Sequence, residues 1–309
     1  MCDFKVFSGE GSMALTMRIC KCLGCKMGIV NITHFSDGEF AVCYEESIRG
    51  KDVFLVQSTY PNADNLMELL LMVDAAKRAS ARSIVAVIPY FGWARQDKMD
   101  KPRVSIGAKL VADMLSVVGI DRLITMDLHS DQEQGFFDIP VDHLYSSSVI
   151  IPYIRSLNLP NLVISSADVG GSKRAKSYAK ALNVPLVLCN KHRDKYNMVI
   201  SMQLIGDCKD SNIVVVDDIV DTAGTIVKAA DAIKAAGAAS VRAVASHCIM
   251  SGTAPKRVMD SSIEEMVFTD SVPFLGNCTK LKQLTVAGLF ADAIHRVVNN
   301  LAISDSYFF

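Results

Sequence analysis

The densest chemistry lies in residues 212–228, NIVVVDDIVDTAGTIVK. Asp217 and Asp218 stand in series at the end of a β-branched run, and Asp221, Thr222, Ala223, Gly224 and Thr225 follow as one tight turn into a helix. The first turn of a helix aims unpaired N–H groups outward, and its dipole favours an anion. Gly224 leaves room for backbone to approach a ligand, so a phosphate suits this cup. The acidic pair would repel phosphate but suits a polyol or a metal ion. A phosphorylated sugar satisfies both halves. The plainer reading is a buried strand and a capped helix, a common α/β arrangement in which acids in series before Thr-x-Gly-Thr are much less common.

Five further loops carry more polar and glycine character than connection requires: FSDGE (35–39), WARQDKMDKPR (93–103), DLHS (127–130), ADVGGSKR (167–174) and NKHRDKYN (190–197). Gly170 and Gly171 allow successive N–H groups to face one oxyanion, a second cup. Asp168 assists a phosphate there only through a cation, a role suited to Mg²⁺, which prefers oxygen ligands and substrate phosphates; the competing role is an N-cap for the next helix. His129 follows a strand and an acid, where most histidines simply hydrogen-bond. Phe91 and Trp93 offer flat faces for a base. Lys191 and Arg193 sit in a segment too charged to be buried, either an ordinary exposed hairpin or a cover bringing cations onto developing charge. No G-x-x-x-x-G-K-[ST] run or Rossmann glycine fingerprint is present.

The elements that must position these loops alternate. Strands are expected at 4–7, 28–33, 40–44, 52–58, 83–88 and 122–126, with helices at 12–23, 66–79 and 105–118. The second half repeats the plan: strands at 162–165, 185–189, 213–216, 241–247, 265–268 and 284–286, an antiparallel excursion at 198–205, and helices at 173–182, 224–236, 253–259 and 289–299. Such alternation predicts an α/β class with parallel sheets. Ligands then gather at the carboxyl ends of strands. Two related α/β domains, 1–146 and 147–309, joined near Leu144–Pro152, are expected.

At 309 residues the chain suffices for two cores. A net charge of −1 with 21% charged residues points to neither nucleic acid nor an acidic membrane surface. The opening MCDFKVFSGE lacks the basic and apolar regions of a signal peptide, and Glu68 and Asp74 interrupt the most apolar helix. A soluble cytoplasmic protein is expected. Nine cysteines without framework spacing suit a reducing compartment. Cys20, Cys22 and Cys25 could ligate zinc or an iron–sulfur cluster, but positions two apart on a helix diverge, so small buried or half-buried thiols are expected.

FKVFSG from Phe4, FSDGE, ARQD, DLHS-x-Q-x-QGFFDIP-x-DHL from Asp127, D-x-GG, K-x-R, VDDIVDTAGT and SGTA from Ser251 occur in this order, ending in QLTVAGLFADAI. In this the chain resembles the ribose-phosphate pyrophosphokinases, or phosphoribosyl-pyrophosphate synthetases, of the phosphate-activated, Mg²⁺-dependent class, over nearly its whole length.

The resemblance implies two phosphoribosyltransferase-like domains, each a mostly parallel sheet flanked by helices, with the final helix a candidate to pack back on the first domain. It implies transfer of diphosphate from MgATP to the C1 hydroxyl of ribose 5-phosphate, with AMP leaving. Phe35, Asp37, Gly38, Glu39, Arg95 and Gln96 would bind ATP, with Asp37, Gly38 and Glu39 reaching its adenine from a neighbouring subunit. Asp221, Thr222, Ala223, Gly224 and Thr225 would cup the 5-phosphate and Asp217 the ribose hydroxyls. His129 and Asp168 match Mg²⁺ positions, and Lys191 and Arg193 the catalytic-loop cations, Arg193 also contacting ribose phosphate. A homohexamer is implied, with inorganic phosphate and ADP as candidate effectors. Ala167, His192, Met99–Val104 and SGTA depart from the commoner pattern, which bears on effector responses. A phosphoribosyltransferase would share the DDIVDTAGT loop but lack the FSDGE and ARQD half. An inactive regulatory subunit should have lost His129, Asp168 or Lys191, and all three are present.

Overall fold

The computed structural model describes residues 4–193 and 199–303, without the side chains of 191–193 and 199–202. The chain divides into two compact units, the first comprising the chain up to 145 with 271–273 and the segment from 285, the second 146–270 with 274–284.

In the first unit the order is β1 (Phe4–Ser8), α1 (Met13–Leu23), β2 (Val30–His34), β3 (Phe40–Tyr44), β4 (Asp52–Val56), α2 (Asp64–Arg78), β5 (Ser83–Ile88), α3 (Gly107–Val118), β6 (Arg122–Met126) and β7 (Val141–Leu144). Strands β1-β4-β5-β6-β7 form one all-parallel sheet. The runs VFLV and IVAVI are buried along their length, as parallel strands covered on both faces require. Strands β2 and β3 instead form a separate antiparallel ribbon with alternating burial. FSDGE is therefore a hairpin tip, not the exit of a parallel strand.

The second unit runs α4 (Ser147–Ser156), β8 (Leu162–Ser166), α5 (Ser172–Leu182), β9 (Leu186–Arg193), β10 (Val199–Ile205), β11 (Asn212–Val220), α6 (Gly224–Ala235), β12 (Ser240–Cys248), α7 (Ala254–Asp260), β13 (Met266–Thr269) and β14 (Leu281–Leu284). Its sheet, β10-β9-β8-β11-β12-β13-β14, is parallel except for β10. One face packs Ile213, Val215 and Val241 against Ile226, Ala230 and Ile233 of α6. The other packs Val214, Val216 and Val244 against α4 and α5. The last helix, α8 (Ala287–Val298), belongs to the first unit and packs on α1.

Three expectations move. Helix α4 runs from Ser147 to Ser156 through Pro152, where no helix was expected. Strand β14 lies three residues before the expected 284–286, paired with β13 from Met266↔Leu281 to Thr269↔Leu284. Strand β9 runs on to Arg193 because β10 pairs back along it. No helix among the described residues is long and apolar enough to cross a membrane.

Candidate functional site

A stagger between neighbouring strands builds the second unit's site. Strand β8 pairs with β11 from Leu162↔Asn212 only to Ser166↔Val216, whereas β11 continues along β12 to Val220↔Cys248. Asp217 is the first β11 residue beyond its β8 neighbour. The loop after β8 folds over that position: a Cβ on Gly171 would lie 3.7 Å from Ser166 Cβ and 3.9 Å from the Val216 carbonyl oxygen. The Gly171 N–H donates to Asp168 Oδ1 at 3.1 Å. Asp168 thus closes the turn before α5, and α5 itself begins without a side-chain cap.

Electrostatics mark the same place. Asp217 keeps some exposed surface but stands in dense protein, and burial pushes its carboxyl well above the usual carboxylate range. The Asp218 carboxylate raises it further, and Asp168 adds a smaller push. Sugar hydroxyls or a divalent cation would relieve this repulsion. Among the described residues no group of three or more His, Cys, Asp or Glu side chains is placed to hold a metal. Mg²⁺ commonly uses one or two carboxylates with waters and substrate oxygens, so this oxygen-rich donor set fits it.

Beyond the acids, Ala223 takes a left-handed conformation (φ 60°, ψ 3°) at the N-cap of α6 while buried in the core. A non-glycine residue there costs on the order of 1–2 kcal/mol, so its surroundings must impose it, and such outliers cluster at ligand sites. A left-handed residue entering a helix turns successive N–H groups to one side, as in an anion nest. The flanks are pinned: the Ser251 N–H donates to the Asp221 carbonyl at 3.0 Å. Arg257 Nη1 donates to the Thr222 carbonyl at 3.0 Å. A Cβ on Gly224 would meet only Thr222 Oγ1 and Arg257 Nη1, each at 3.8 Å, so the mouth is open.

The first unit positions the other candidates. At the β2–β3 tip the Phe35 N–H donates to the Glu39 carbonyl at 2.8 Å and the Gly38 N–H to the Phe35 carbonyl at 3.1 Å. The Glu39 N–H donates to Asp37 Oδ1 at 3.0 Å, and Gly38 supplies the positive φ of 96°. Phe35, Asp37, Gly38 and Glu39 are all exposed, Phe35 by 51%. His34 Nε2 lies 3.0 Å from Glu10 Oε2, tying the hairpin base to the segment after β1.

After β5 the chain runs hard against β4's exit: a Cβ on Gly92 would stand 2.0 Å from the Thr59 carbonyl oxygen. The Gly92 N–H donates to Thr59 Oγ1 at 2.7 Å. Arg95 and Gln96 follow on the surface, and the Gln96 carbonyl accepts from the Ala108 N–H at 3.2 Å. Phe91 is no stacking platform: it is 2% exposed and meets Phe137 edge-on at 5.8 Å. Trp93 keeps a partly exposed face.

After β6, Asp127 is buried with a φ of 43°, and His129 is exposed. His143, buried on β7, accepts the Leu128 N–H through Nε2 at 3.0 Å and so holds the DLHS loop.

Asp168, Asp217, Asp218 and the 221–225 turn therefore gather at the carboxyl end of the second unit's sheet. The hairpin tip, Arg95, Gln96 and His129 are held by the first. Lys191 and Arg193 end β9, but their side chains lie outside the described residues. His143 and Arg257 were not singled out in the sequence, although they fall within or beside the motifs DHL and SGTA; Glu68 was read there only as a charge interrupting a helix. Among the thiols, Cys20 is buried and Cys22 exposed, with Cys25 between.

A family model for the N-terminal domain of ribose phosphate pyrophosphokinase matches residues 4–119, and one for a phosphoribosyl synthetase-associated domain matches 193–309. The chain is 63% identical to a ribose-phosphate pyrophosphokinase of Porphyromonas gingivalis, covering 99% of this chain and 98% of that one. It is 47% identical to a ribose-phosphate pyrophosphokinase of Campylobacter jejuni, covering 99% and 100%. A crystal structure of phosphoribosylpyrophosphate synthetase from Mycobacterium smegmatis superposes with a TM-score of 0.91 at 35% identity, covering 96% and 99%.

Proposed function

The chain belongs to the ribose-phosphate pyrophosphokinase family, and from that premise we propose how its residues divide the work. The reaction is the family's: the C1 hydroxyl oxygen of ribose 5-phosphate bonds to the β-phosphorus of ATP, and the bond from that phosphorus to the α,β-bridging oxygen breaks. AMP departs, and 5-phosphoribosyl 1-diphosphate serves nucleotide and amino-acid biosynthesis. Both domains, 1–146 and 147–309, are needed.

The turn Asp221–Thr225 binds the 5-phosphate through its N–H groups and hydroxyls, and Asp217 orients the ribose hydroxyls. Phe35, Asp37, Gly38, Glu39, Arg95 and Gln96 hold ATP. Lys191 and Arg193 place positive charge where negative charge develops, Arg193 also facing ribose phosphate. His129 and Asp168 are the Mg²⁺-binding residues, and the ion when bound neutralises phosphate charge. Phosphoryl-type transfer depends on positioning and charge, with no covalent protein nucleophile, which agrees with a site rich in donors and carboxylates. The observation that carries this division is the half-buried acidic strand end set directly before the left-handed Ala223 turn. The assembly is a cytoplasmic homohexamer; exposed Leu110 and Val117 on α3 offer apolar surface for self-association. Inorganic phosphate and ADP act as effectors.

AMP release from ATP and ribose 5-phosphate, without a nucleobase and with or without Mg²⁺ and inorganic phosphate, tests this reading. Mg²⁺-dependent AMP formation is expected, lost in Asp168→Asn. Absence of release with every divalent cation tried overturns the assignment.

A further inference from the structure

Arg257, on α7, is 35 positions from Thr222 and outside every loop assigned above, yet its Nη1 donates to the Thr222 carbonyl at 3.0 Å. A Cβ on Gly224 would lie 3.8 Å from the same nitrogen. The guanidinium therefore leans on the turn that cups the phosphate. Among the described residues it has no carboxylate partner, whereas exposed Arg78 and Arg82 each pair with one.

Charge accounting explains why the turn needs it. The turn carries Asp221, a full negative charge, whereas the N-terminus of α6 contributes only about half a positive one. By their own residues these five positions are net negative, a poor host for a phosphate dianion. Lys228, the nearest cation along the sequence, is a full helical turn past Gly224. One guanidinium against the turn adds a full positive charge there. Its bond also engages the Thr222 carbonyl, an acceptor that would otherwise compete with the turn's N–H donors.

Resting on the assignment of Asp221–Thr225 to the 5-phosphate, we infer that Arg257 is a positioning residue for ribose 5-phosphate: anchored on Thr222 O, it holds the turn in its donor-inward form and makes its field more positive. It acts on the phosphate end of the acceptor and leaves the ATP half of the reaction alone. A hydrogen bond with a charged partner supports roughly a 10- to 100-fold effect.

Steady-state kinetics on the full-length enzyme, varying ribose 5-phosphate and ATP separately, test this with Arg257→Ala, Arg257→Lys and Thr225→Ala. Arg257→Ala should raise KM for ribose 5-phosphate about 10- to 100-fold, leave kcat and KM for ATP within about threefold, and leave Tm nearly unchanged. Arg257→Lys, which keeps charge and a donor, should recover most of the loss. If Arg257→Ala leaves KM for ribose 5-phosphate within twofold while Thr225→Ala raises it, Arg257 has no such role and the turn keeps its assignment. If neither variant moves it, the assignment of the turn falls as well. An equal rise in both KM values, or a loss of folding unrelieved in Arg257→Lys, makes Arg257 merely structural.

Discussion

The Asp218 N–H donates to Asp217 Oδ1 at 2.9 Å, turning one carboxylate back on the backbone of the next just where β11 outruns β8. This bond favours the charged form of Asp217, yet burial and the Asp218 and Asp168 charges outweigh it, and the carboxyl is pushed well up. The strand end by itself therefore disfavours charge on Asp217, a cost that bound ribose hydroxyls or a cation would relieve.

Asp217→Asn should stabilise the free protein and impair the enzyme. A carboxyl raised in the folded state costs stability as pH climbs above its ordinary value near 4, and the amide carries no such cost. Thermal unfolding at pH 7.5 should show a higher Tm for the variant, by about 2–4 °C for each kcal/mol recovered. The gap should narrow as pH falls toward 4, while KM for ribose 5-phosphate rises. A lower Tm at neutral pH contradicts this reading of Asp217.

Glu68 should give a second pH signature, unconnected with the acidic strand end. It is 4% exposed; burial drives its carboxyl up to about 7, helped by Glu10, while the Glu10 N–H and His34 oppose the shift. Below its ordinary value of 4.5 it is protonated in both states and costs nothing. Between there and 7 the unfolded chain ionises first, so wild-type stability falls. Glu68→Gln keeps an acceptor for the Glu10 N–H and removes the titration. Its advantage in denaturant unfolding should be near zero at pH 4.5 and reach on the order of 2–3 kcal/mol above pH 7. A pH-independent difference would mean the carboxyl stays ionised.

Gly92→Ala should damage the ARQD loop through the backbone. The added methyl would meet the buried Thr59 carbonyl, 2.0 Å away, which no side-chain rotation can relieve. A loss of roughly 1–3 kcal/mol is expected, with KM for ATP raised roughly tenfold or more. Gly135→Ala, where the methyl meets nothing within 4 Å, is the matched control and should keep wild-type stability. Equal behaviour of the two in calorimetry would refute the close approach.

Lys191→Ala should lower kcat by a factor on the order of 10²–10³, as for the loss of one oxyanion donor. A single-turnover AMP measurement checks it. Activity within tenfold of wild type removes Lys191 from catalysis.

Local order in the chain already determined most strands of both sheets and the loops with chemistry, but not β7, where no strand was expected. Val214–Val216 can only be a buried strand, and DTAGT can only be a turn entering a helix, because propensity and periodicity act over a few neighbours. The hairpin at FSDGE, the helix through Pro152 and the extension of β9 escaped that reading, since each depends on which segment pairs or packs opposite. The same holds for the energetics. Glu68 looks like a solvated helix acid until Glu10, 58 positions away, folds over it, and Phe91 looks available until Phe137 covers it. Asp217 and Asp218 were legible as acids. Their unequal roles follow from sheet register, which places Asp217 past the end of β8 beside Asp168. Register is a long-range choice made by the whole core, so only the tertiary structure decided it.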